Sequence, residues 1–225
     1  MSKSYRYERK FFITDLSPHE VKKIVNNSTG LFREIYTTRY INNIYFDYYN
    51  FSNYWDNNDG LSQRIKPRVR WYGSLLGEVQ KPILEYKIKR GMLGRKERYN
   101  INDFLFNNGH DLNKLKSLIS DSDFDNKYKE KIINQNPVLV NRYKRKYFQS
   151  LNKKFRITID TDLSYLPIKT KNLNQKYKLN ESVILEIKYD EIFDNEANQI
   201  TQCFPFRLTK CSKYSIGIEK SYHLE

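Results

Sequence analysis

Charged and apolar residues alternate so regularly along one segment of the chain that an extended strand is the structure that fits it. Residues 64–71 read Arg-Ile-Lys-Pro-Arg-Val-Arg-Trp. Residues two apart share a face of a strand, so one face of this segment is basic and the other is apolar. The basic face carries Arg64, Lys66, Arg68 and Arg70. The segment therefore predicts a strand in a sheet whose two faces differ sharply in polarity.

The same alternation recurs in several other segments. Their charged faces carry Glu85, Lys87 and Lys89; Arg6, Glu8 and Lys10; Lys96 and Arg98; Arg156, Thr158 and Asp160; and Glu186 and Lys188. For any single strand, an amphipathic sheet with its polar face in water is a sufficient interpretation. If all of these strands exposed their charged faces on one open surface, the like charges would repel one another without any compensating gain. A concave face that binds a polyanion accounts for the set, and closing the sheet with the charges inside gives a barrel with a basic lumen.

Strand patterns dominate the chain and helices are fewer. Rich β-branched and aromatic content predicts strands over residues 5–13, 42–48, 61–72, 82–90, 95–101, 140–149, 154–161 and 183–190. A capping box at residues 17–20 predicts a helix to about residue 27, and further helices are predicted over 103–119, 125–135 and 206–219, with a turn at 57–60. This order predicts an α+β fold: an eight-stranded antiparallel β-barrel tunnel with a basic lumen, flanked by helices, as one domain over residues 1–225.

Composition narrows the class of partner and the compartment. Forty Lys and Arg against twenty-six Asp and Glu leave a net charge of +14, which favours polyanionic partners. The aromatic fraction of 15% indicates a folded core rather than a basic tail. Two cysteines and three scattered histidines exclude a four-thiolate zinc site and a His-rich metal centre, and a cytoplasmic location is expected. No apolar run has the roughly 20 residues of a membrane helix, so no membrane segment is expected.

Two glutamates stand among the cations of the charged faces. Glu8 and Glu186 each alternate with lysine or arginine along a predicted strand. Each is either the salt-bridge partner of a neighbouring cation or an oxygen ligand of Mg²⁺ or Mn²⁺. These ions commonly take one or two carboxylates together with phosphate oxygens.

An ordered series of motifs resembles a known family. The chain is similar to the catalytic domain of the vacuolar transporter chaperone (VTC) polyphosphate polymerases, within the triphosphate tunnel metalloenzyme superfamily, at residues 7–11, 43–47, 68–73, 84–87, 142–148, 155–160, 184–188 and 212–214. The most specific part is Arg-x-Arg-Trp-Tyr-Gly with Tyr-Phe-Asp before it. Eukaryotic members also carry an inositol-phosphate-sensing domain and membrane helices, so this chain resembles the stand-alone bacterial form.

The resemblance implies roles for individual residues. Its phosphate-binding cations correspond to Lys10, Arg68, Arg70, Lys87, Lys96, Arg145, Arg156 and Lys213. Its metal-binding glutamate corresponds to Glu186, beside which Glu8 is a second candidate ligand for Mn²⁺ or Mg²⁺. The charged strand faces add further phosphate contacts at Arg64, Lys66, Lys89, Arg98 and Lys188.

The implied activity is polyphosphate synthesis, in which the γ-phosphate of ATP is added to a growing chain and ADP is released. The acceptor is already an oxyanion and needs no general base, which agrees with the lack of a recognisable catalytic triad. A triphosphatase of the same fold and a non-catalytic polyphosphate-binding module remain alternatives. ATP and inorganic polyphosphate are the expected partners, and a membrane protein is a possible one. Nucleic acid is not expected, because most aromatic residues alternate with the charges and face away from them.

Overall fold

The computed structural model describes residues 6–107, 112–122, 126–168, 176–179 and 181–224. The strands in chain order are β1 (Tyr7–Ile13), β2 (Arg33–Asp47), β3 (Gln63–Tyr72), β4 (Gly77–Val79), β5 (Ile83–Arg90), β6 (Leu93–Asn100), β7 (Phe104–Phe106), β8 (Asn136–Gln149), β9 (Arg156–Pro167), β10 (Tyr177–Leu179) and β11 (Val183–Tyr189). The helices are α1 (Pro18–Asn26), α2 (Ser52–Asn58), α3 (Leu112–Asp121), α4 (Asn126–Ile133), α5 (Asp194–Gln202) and α6 (Lys213–Tyr222), and a 3-10 turn covers Glu191–Phe193.

Eight strands form one antiparallel sheet that curls until its edges meet. The order is β1-β11-β9-β8-β2-β3-β5-β6, with β10 added beside β9 and a separate pair of β4 and β7. The edge strands β1 and β6 approach where Arg6 and Gly94 exchange two backbone hydrogen bonds of 3.2 and 3.1 Å. The predicted α+β fold, an antiparallel tunnel flanked by helices, is confirmed.

The outer face of the sheet is apolar and is covered by helices. Val69, Leu84 and Tyr86 pack in one cluster with side chains of α3 and α4. Ile157 and Leu185 pack in a second cluster with side chains of α1 and α5. Burying these surfaces outside leaves the alternate, charged residues of the same strands on the inside.

Helix α6 lies on the inner side of the sheet and fills one end of it. A third cluster joins Ile218 of α6 to Leu139 and Tyr165 of β8 and β9. These residues share the inner face with Asn141, which pairs with both Asn43 of β2 and Tyr165 of β9. The amino end of α6, capped by Ser212, therefore points toward the middle of the lumen.

Most predicted strands are found, and the main errors concern helices. Strands predicted over 42–48 and 154–161 are longer, because β2 begins at Arg33 and β9 runs to Pro167. Residues 104–106 form β7 instead of a helical turn, and the helix predicted over 206–219 begins only at Lys213. Of the turn predicted at 57–60, residues 57 and 58 end a short helix, α2, that was not predicted, and residues 59 and 60 form the turn. The start of the strand predicted at 5–13, part of the helix predicted over 103–119 and the start of the one at 125–135 lie outside the described residues.

Candidate active site

A cavity of about 920 Å³ occupies the lumen, and charged side chains of the strands form a large part of its lining. Of the residues predicted from sequence, it brings together Glu8, Lys10, Arg64, Lys66, Arg68, Arg70, Lys87, Lys89, Lys96, Arg145, Glu186, Lys188 and Lys213. The register explains this grouping, because Arg64, Lys66 and Arg68 of β3 lie opposite Lys89, Lys87 and Glu85 of β5. The charged residues of neighbouring strands thus lie side by side on one inner face.

Two predicted phosphate contacts lie outside the lining of this cavity. Arg98 is exposed and donates to Glu85 at 3.0 Å, from the position opposite Glu85 on β6. Arg156 is exposed at the start of β9, opposite Gln149 and Lys188. Both residues occupy inner-face positions, but at the rim rather than around the cavity.

Glu85 gathers the cations on one wall of the lumen. Its carboxylate accepts from Arg68 at 2.6 Å and lies 3.4 Å from Arg70 and 3.6 Å from Lys96. Burial alone would raise the pKa of Glu85, but Arg70, Arg68 and Lys96 outweigh it and hold the pKa far below its usual range. Glu85 therefore acts as a permanent internal counter-ion.

Asp160 plays the same part on the opposite wall. It accepts from Arg145 at 2.6 Å and from Lys213 of α6 at 2.5 Å. Burial would raise the pKa of Asp160, yet Arg145 and Lys213 hold it below its usual range. No role was predicted for Glu85 or Asp160, although both appear in the alternating pattern. Their position among cations on a charged strand face was the signal in the sequence that could have identified them as internal counter-ions.

Glu8 and Glu186 face the cavity from the neighbouring strands β1 and β11. Both share Lys10, whose ammonium lies 3.9 Å from Glu8 and 3.7 Å from Glu186. Glu8 also accepts from Lys87 at 2.7 Å, and Glu186 from Lys188 at 2.8 Å. Burial would raise the pKa of each carboxyl, but the surrounding lysines keep both well below the usual range, so both are ionised.

Three lysines of the lumen are held in a state that favours loss of their proton. Burial lowers the pKa of Lys87 to about 7, despite the opposing effect of Glu8. Burial also lowers the pKa of Lys66 and Lys96 well below the usual range. Lys66 donates to the Ser212 hydroxyl at 3.0 Å, and no ion pair within the described residues joins it to a carboxylate. The charges that act most on Lys66 are those of other cations, among them Lys10 and Lys87.

Tyrosines line the cavity as well, contrary to the expectation that aromatic residues face away from the charges. Tyr45, Tyr143 and Tyr214 all reach it. Tyr143 shares the inner face with Arg145, whose guanidinium carbon lies 5.1 Å from its ring centre. Because Arg145 has basic neighbours in sequence, the pattern alone did not decide which of them faces the lumen. In the structure Arg145 faces inward, whereas Lys144 lies opposite Tyr40, with its ammonium near the Tyr40 ring.

No group of three or more acidic, histidine or cysteine side chains that could hold a metal by itself occurs among the described residues. Glu8 and Glu186 nevertheless offer carboxylate oxygens to the cavity. That donor set suits a hard cation such as Mg²⁺ or Mn²⁺, provided that a ligand supplies the remaining oxygens.

Together, the curled antiparallel sheet and its basic lumen define a protein of the triphosphate tunnel class. The model of the VTC domain family matches residues 5–222, and the chain belongs to that family.

Solved structures share the fold at low sequence identity. HpAC1 from Hippeastrum, a candidate adenylyl cyclase reported to have a dominant triphosphatase activity, is 13% identical with a TM-score of 0.55, over 96% of this chain and 95% of that one. The PH1819 protein from Pyrococcus horikoshii OT3 is 14% identical with a TM-score of 0.54, over 96% and 99%. A candidate adenylate cyclase from Bacillus halodurans is 12% identical with a TM-score of 0.56, over 99% and 100%. No curated protein was found to match the chain.

Within the described residues, none of the helices combines the length and the apolar character needed to cross a bilayer.

Proposed function

We propose that this protein is a metal-dependent polyphosphate polymerase that transfers the γ-phosphoryl group of ATP to the end of an inorganic polyphosphate chain. The observation that carries the proposal is the dense ring of cations around one cavity, which suits a ligand with several charges at short spacing. Its innermost members are Lys10, Arg68, Arg70, Lys87, Arg145 and Lys213. Such a ring matches phosphate chains better than a single anion.

The cations would bind and orient the two reacting phosphate groups. Arginine offers paired N–H donors that fit phosphate oxygens, while lysine adds a compact charge. Arg68 and Arg70 gather around Glu85, and Arg145 and Lys213 gather around Asp160, so a chain would be held by two groups of cations. Positioning and charge stabilisation supply most of the catalysis in phosphoryl transfer.

In the reaction, a terminal phosphate oxygen of the acceptor attacks the γ-phosphorus of ATP. A new P–O bond forms, the bond between the γ-phosphorus and the bridging β,γ-oxygen breaks, and ADP leaves with that oxygen. The attacking oxygen is already ionised, so no proton has to be removed. Arg70 and Arg145 would stabilise the charge that spreads over the transferred oxygens.

Glu186, assisted by Glu8, would hold the divalent ion. When bound, Mn²⁺ or Mg²⁺ supplies Lewis-acid charge to phosphate oxygens. Glu186 is ionised and reaches the cavity, so it is ready to act as an oxygen ligand.

The carboxylates of the lumen are poorly suited to act as the general base of a hydrolysis reaction. Hydrolysis of ATP or triphosphate gains from a general base whose pKa lies near the working pH. The inner-face carboxylates all have pKa values held low by cations: Glu8, Glu85, Asp160 and Glu186. Each is therefore a weak base toward water, and an oxyanion acceptor needs no base. Lys87, whose pKa is about 7, is the group of this cavity that could act as a base in hydrolysis, so the two reactions have to be separated by their products.

A triphosphatase is the second candidate, because the fold resembles that of HpAC1, for which a dominant triphosphatase activity is reported. Incubating the protein with ATP and Mn²⁺ separates the two. A polymerase forms ADP and polyphosphate together with little free phosphate, whereas a triphosphatase forms free phosphate in step with ADP. If neither product appears while triphosphate still binds, the protein is a binding module and the proposed function fails.

The variant Glu186→Gln tests the metal ligand in the same assay. It keeps the side-chain shape and removes the ligand charge, so activity at limiting Mn²⁺ should fall sharply and recover in part at high Mn²⁺. Glu191→Gln, an exposed residue on the surface, is the matched control and should behave as wild type. Activity of Glu186→Gln near wild type at limiting Mn²⁺ would exclude this role.

A further inference from the structure

The inner face of the sheet continues past the point where the cavity ends. The cavity lining includes Arg70 of β3 and Arg145 of β8. Two residues further along these strands are Tyr72 and Tyr147. On β2, Arg39 pairs directly with Arg145. A second set of inner-face side chains therefore begins next to the cavity and extends to the surface.

These side chains form a group that we name the Arg39 cluster, of which Tyr147 is half-buried and the others are exposed: Tyr36, Arg39, Tyr72 and Tyr147. The Arg39 guanidinium carbon lies 5.2 Å from the Tyr36 ring centre and 5.8 Å from that of Tyr72. Tyr36 meets Tyr147 edge to face at 5.6 Å, and the guanidinium of Arg145 lies 5.9 Å from the Tyr147 ring. Ring and cation contacts therefore run without a break from the cavity wall to the surface.

Arg39 differs from the arginines of the cavity in its partners. Arg68 and Arg145 each bind a buried carboxylate, at 2.6 Å in both cases. Arg39 is exposed, and no ion pair within the described ranges joins it to an acidic side chain. Contact with tyrosine rings occupies the flat faces of a guanidinium and leaves its N–H edges available. Those edges are the part of arginine that binds phosphate oxygens in pairs.

We propose that the Arg39 cluster is a second phosphate-binding subsite, which holds the part of a polyphosphate chain that extends beyond the cavity. Triphosphate is short enough to be bound by the cavity cations alone, whereas a long chain would also reach Arg39. Tyr72 and Tyr147 are the members of the cluster nearest the cavity, two residues along their strands from Arg70 and Arg145, so the two subsites adjoin. The inference rests on the proposed function only in taking polyphosphate as the ligand.

Binding measurements on the intact chain test the subsite without requiring catalysis. Inorganic triphosphate and a long polyphosphate of defined length would be titrated calorimetrically into wild type, Arg39→Gln and Arg33→Gln. Arg33 is an exposed arginine at the start of the same strand and serves as the control for loss of surface charge. Arg39→Gln should weaken long-chain binding about three- to tenfold and leave triphosphate binding unchanged. Arg33→Gln should change neither.

Three results would overturn the inference. Long-chain binding by Arg39→Gln could equal that of wild type, triphosphate binding could fall as much as long-chain binding, or Arg33→Gln could weaken long-chain binding as strongly as Arg39→Gln. Failure of the proposed function is separate, because it appears as the absence of polyphosphate synthesis from ATP. A protein that makes no polymer but loses long-chain affinity on Arg39→Gln would support the subsite alone.

Discussion

Lys87 combines burial, a carboxylate partner and nearby cations in one side chain. Burial brings its pKa to about 7, so it is only partly charged at neutral pH. A bound phosphate chain favours the charged form and raises that pKa. Binding above pH 7 should therefore take up a proton, and triphosphate affinity should decline as the pH rises.

Calorimetry in buffers with different ionisation heats measures this proton uptake. Lys87→Arg keeps a permanent positive charge, so proton uptake at pH 8 should be lower by up to about one proton. Equal uptake by wild type and variant would show that another group titrates.

The lowered pKa of Lys87 also makes the stability of the free protein depend on pH, in the direction opposite to that of a lysine in a stabilising ion pair. The cost of burying charged Lys87 is full below its folded pKa and disappears as the pH rises toward the pKa of an unfolded lysine, so this residue makes the fold more stable at higher pH.

Arg70 contacts side chains of three other strands of the lumen, β2, β5 and β8. It donates to Asn43 at 3.0 Å and to Tyr143 at 3.3 Å, and these contacts fix its direction. Arg70→Ala should remove a charge-assisted contact of roughly 1.5–3 kcal/mol, lowering affinity for ATP and triphosphate together by about ten- to a hundredfold. Titrations at two salt concentrations measure this. A loss that vanishes at moderate salt would indicate a screened surface charge, and tight binding of AMP would contradict phosphate recognition.

At the scale of elements, helix α6 is the part that places a catalytic candidate from outside the sheet. Asp47 at the end of β2 accepts from the Tyr214 hydroxyl of α6 and from the backbone of α2. These contacts fix the first turn of α6, and with it Lys213 beside Asp160 and Glu186. The conformation of a single terminal helix therefore decides whether the cation ring is complete.

Gly217 shows how closely α6 fits inside the sheet. An added Cβ would lie 2.4 Å from a Leu139 methyl carbon and 2.5 Å from the Tyr165 ring. Gly217→Ala should therefore destabilise the protein by about 1–3 kcal/mol, although alanine is ordinarily the better helix former. Triphosphate affinity should fall as well, because the helix carries Lys213. Urea unfolding measures the first effect, with exposed Lys220→Ala of the same helix as control. A variant more stable than wild type would contradict this packing.

The strands are predictable from sequence because their inner and outer faces differ at every step. The alternation over residues 64–71 is sufficient to identify the inner face of β3 and its cavity side chains. Helix α6 was predicted to start at residue 206, too early. In the structure Ser212 caps its first turn, and contacts with β8 and β9, which are far away in sequence, hold the helix in place. Short strands such as β7 depend on pairing with β4, which is a non-local contact. For the same reason the Arg39 cluster could not be predicted, since three separate strands supply it.

At the scale of the whole molecule, the sheet has one thin seam. Between β1 and β6, a single bridge supplies the backbone hydrogen bonds found in the described part of the chain. Side chains reinforce the seam, above all the contact of Glu8 with Lys87 across it. Since few hydrogen bonds must break there, the seam should open more readily than the long pairing of β2 with β8.

Hydrogen exchange checks this difference. The amides of Arg6 and Gly94 should exchange faster than those in the middle of β8, and triphosphate should slow them because it binds cations on both sides of the seam. The amide of Tyr49, an exposed residue outside β1 and β6, is the internal control and should keep its rate. Equal protection of the seam and the centre of β8 without ligand would show that the closure is uniform.

Four carboxylates act as fixed counter-ions of the lumen cations: Glu8, Glu85, Asp160 and Glu186. A ligand enters by trading places with these fixed anions, and it must bring more charge to the cations than they already have. A lone orthophosphate would reach fewer cations at once, whereas a chain could engage the cations around Glu85 and those around Asp160 together. Under the proposed function, the protein would therefore stay folded without a ligand and would still bind chains in the presence of free phosphate.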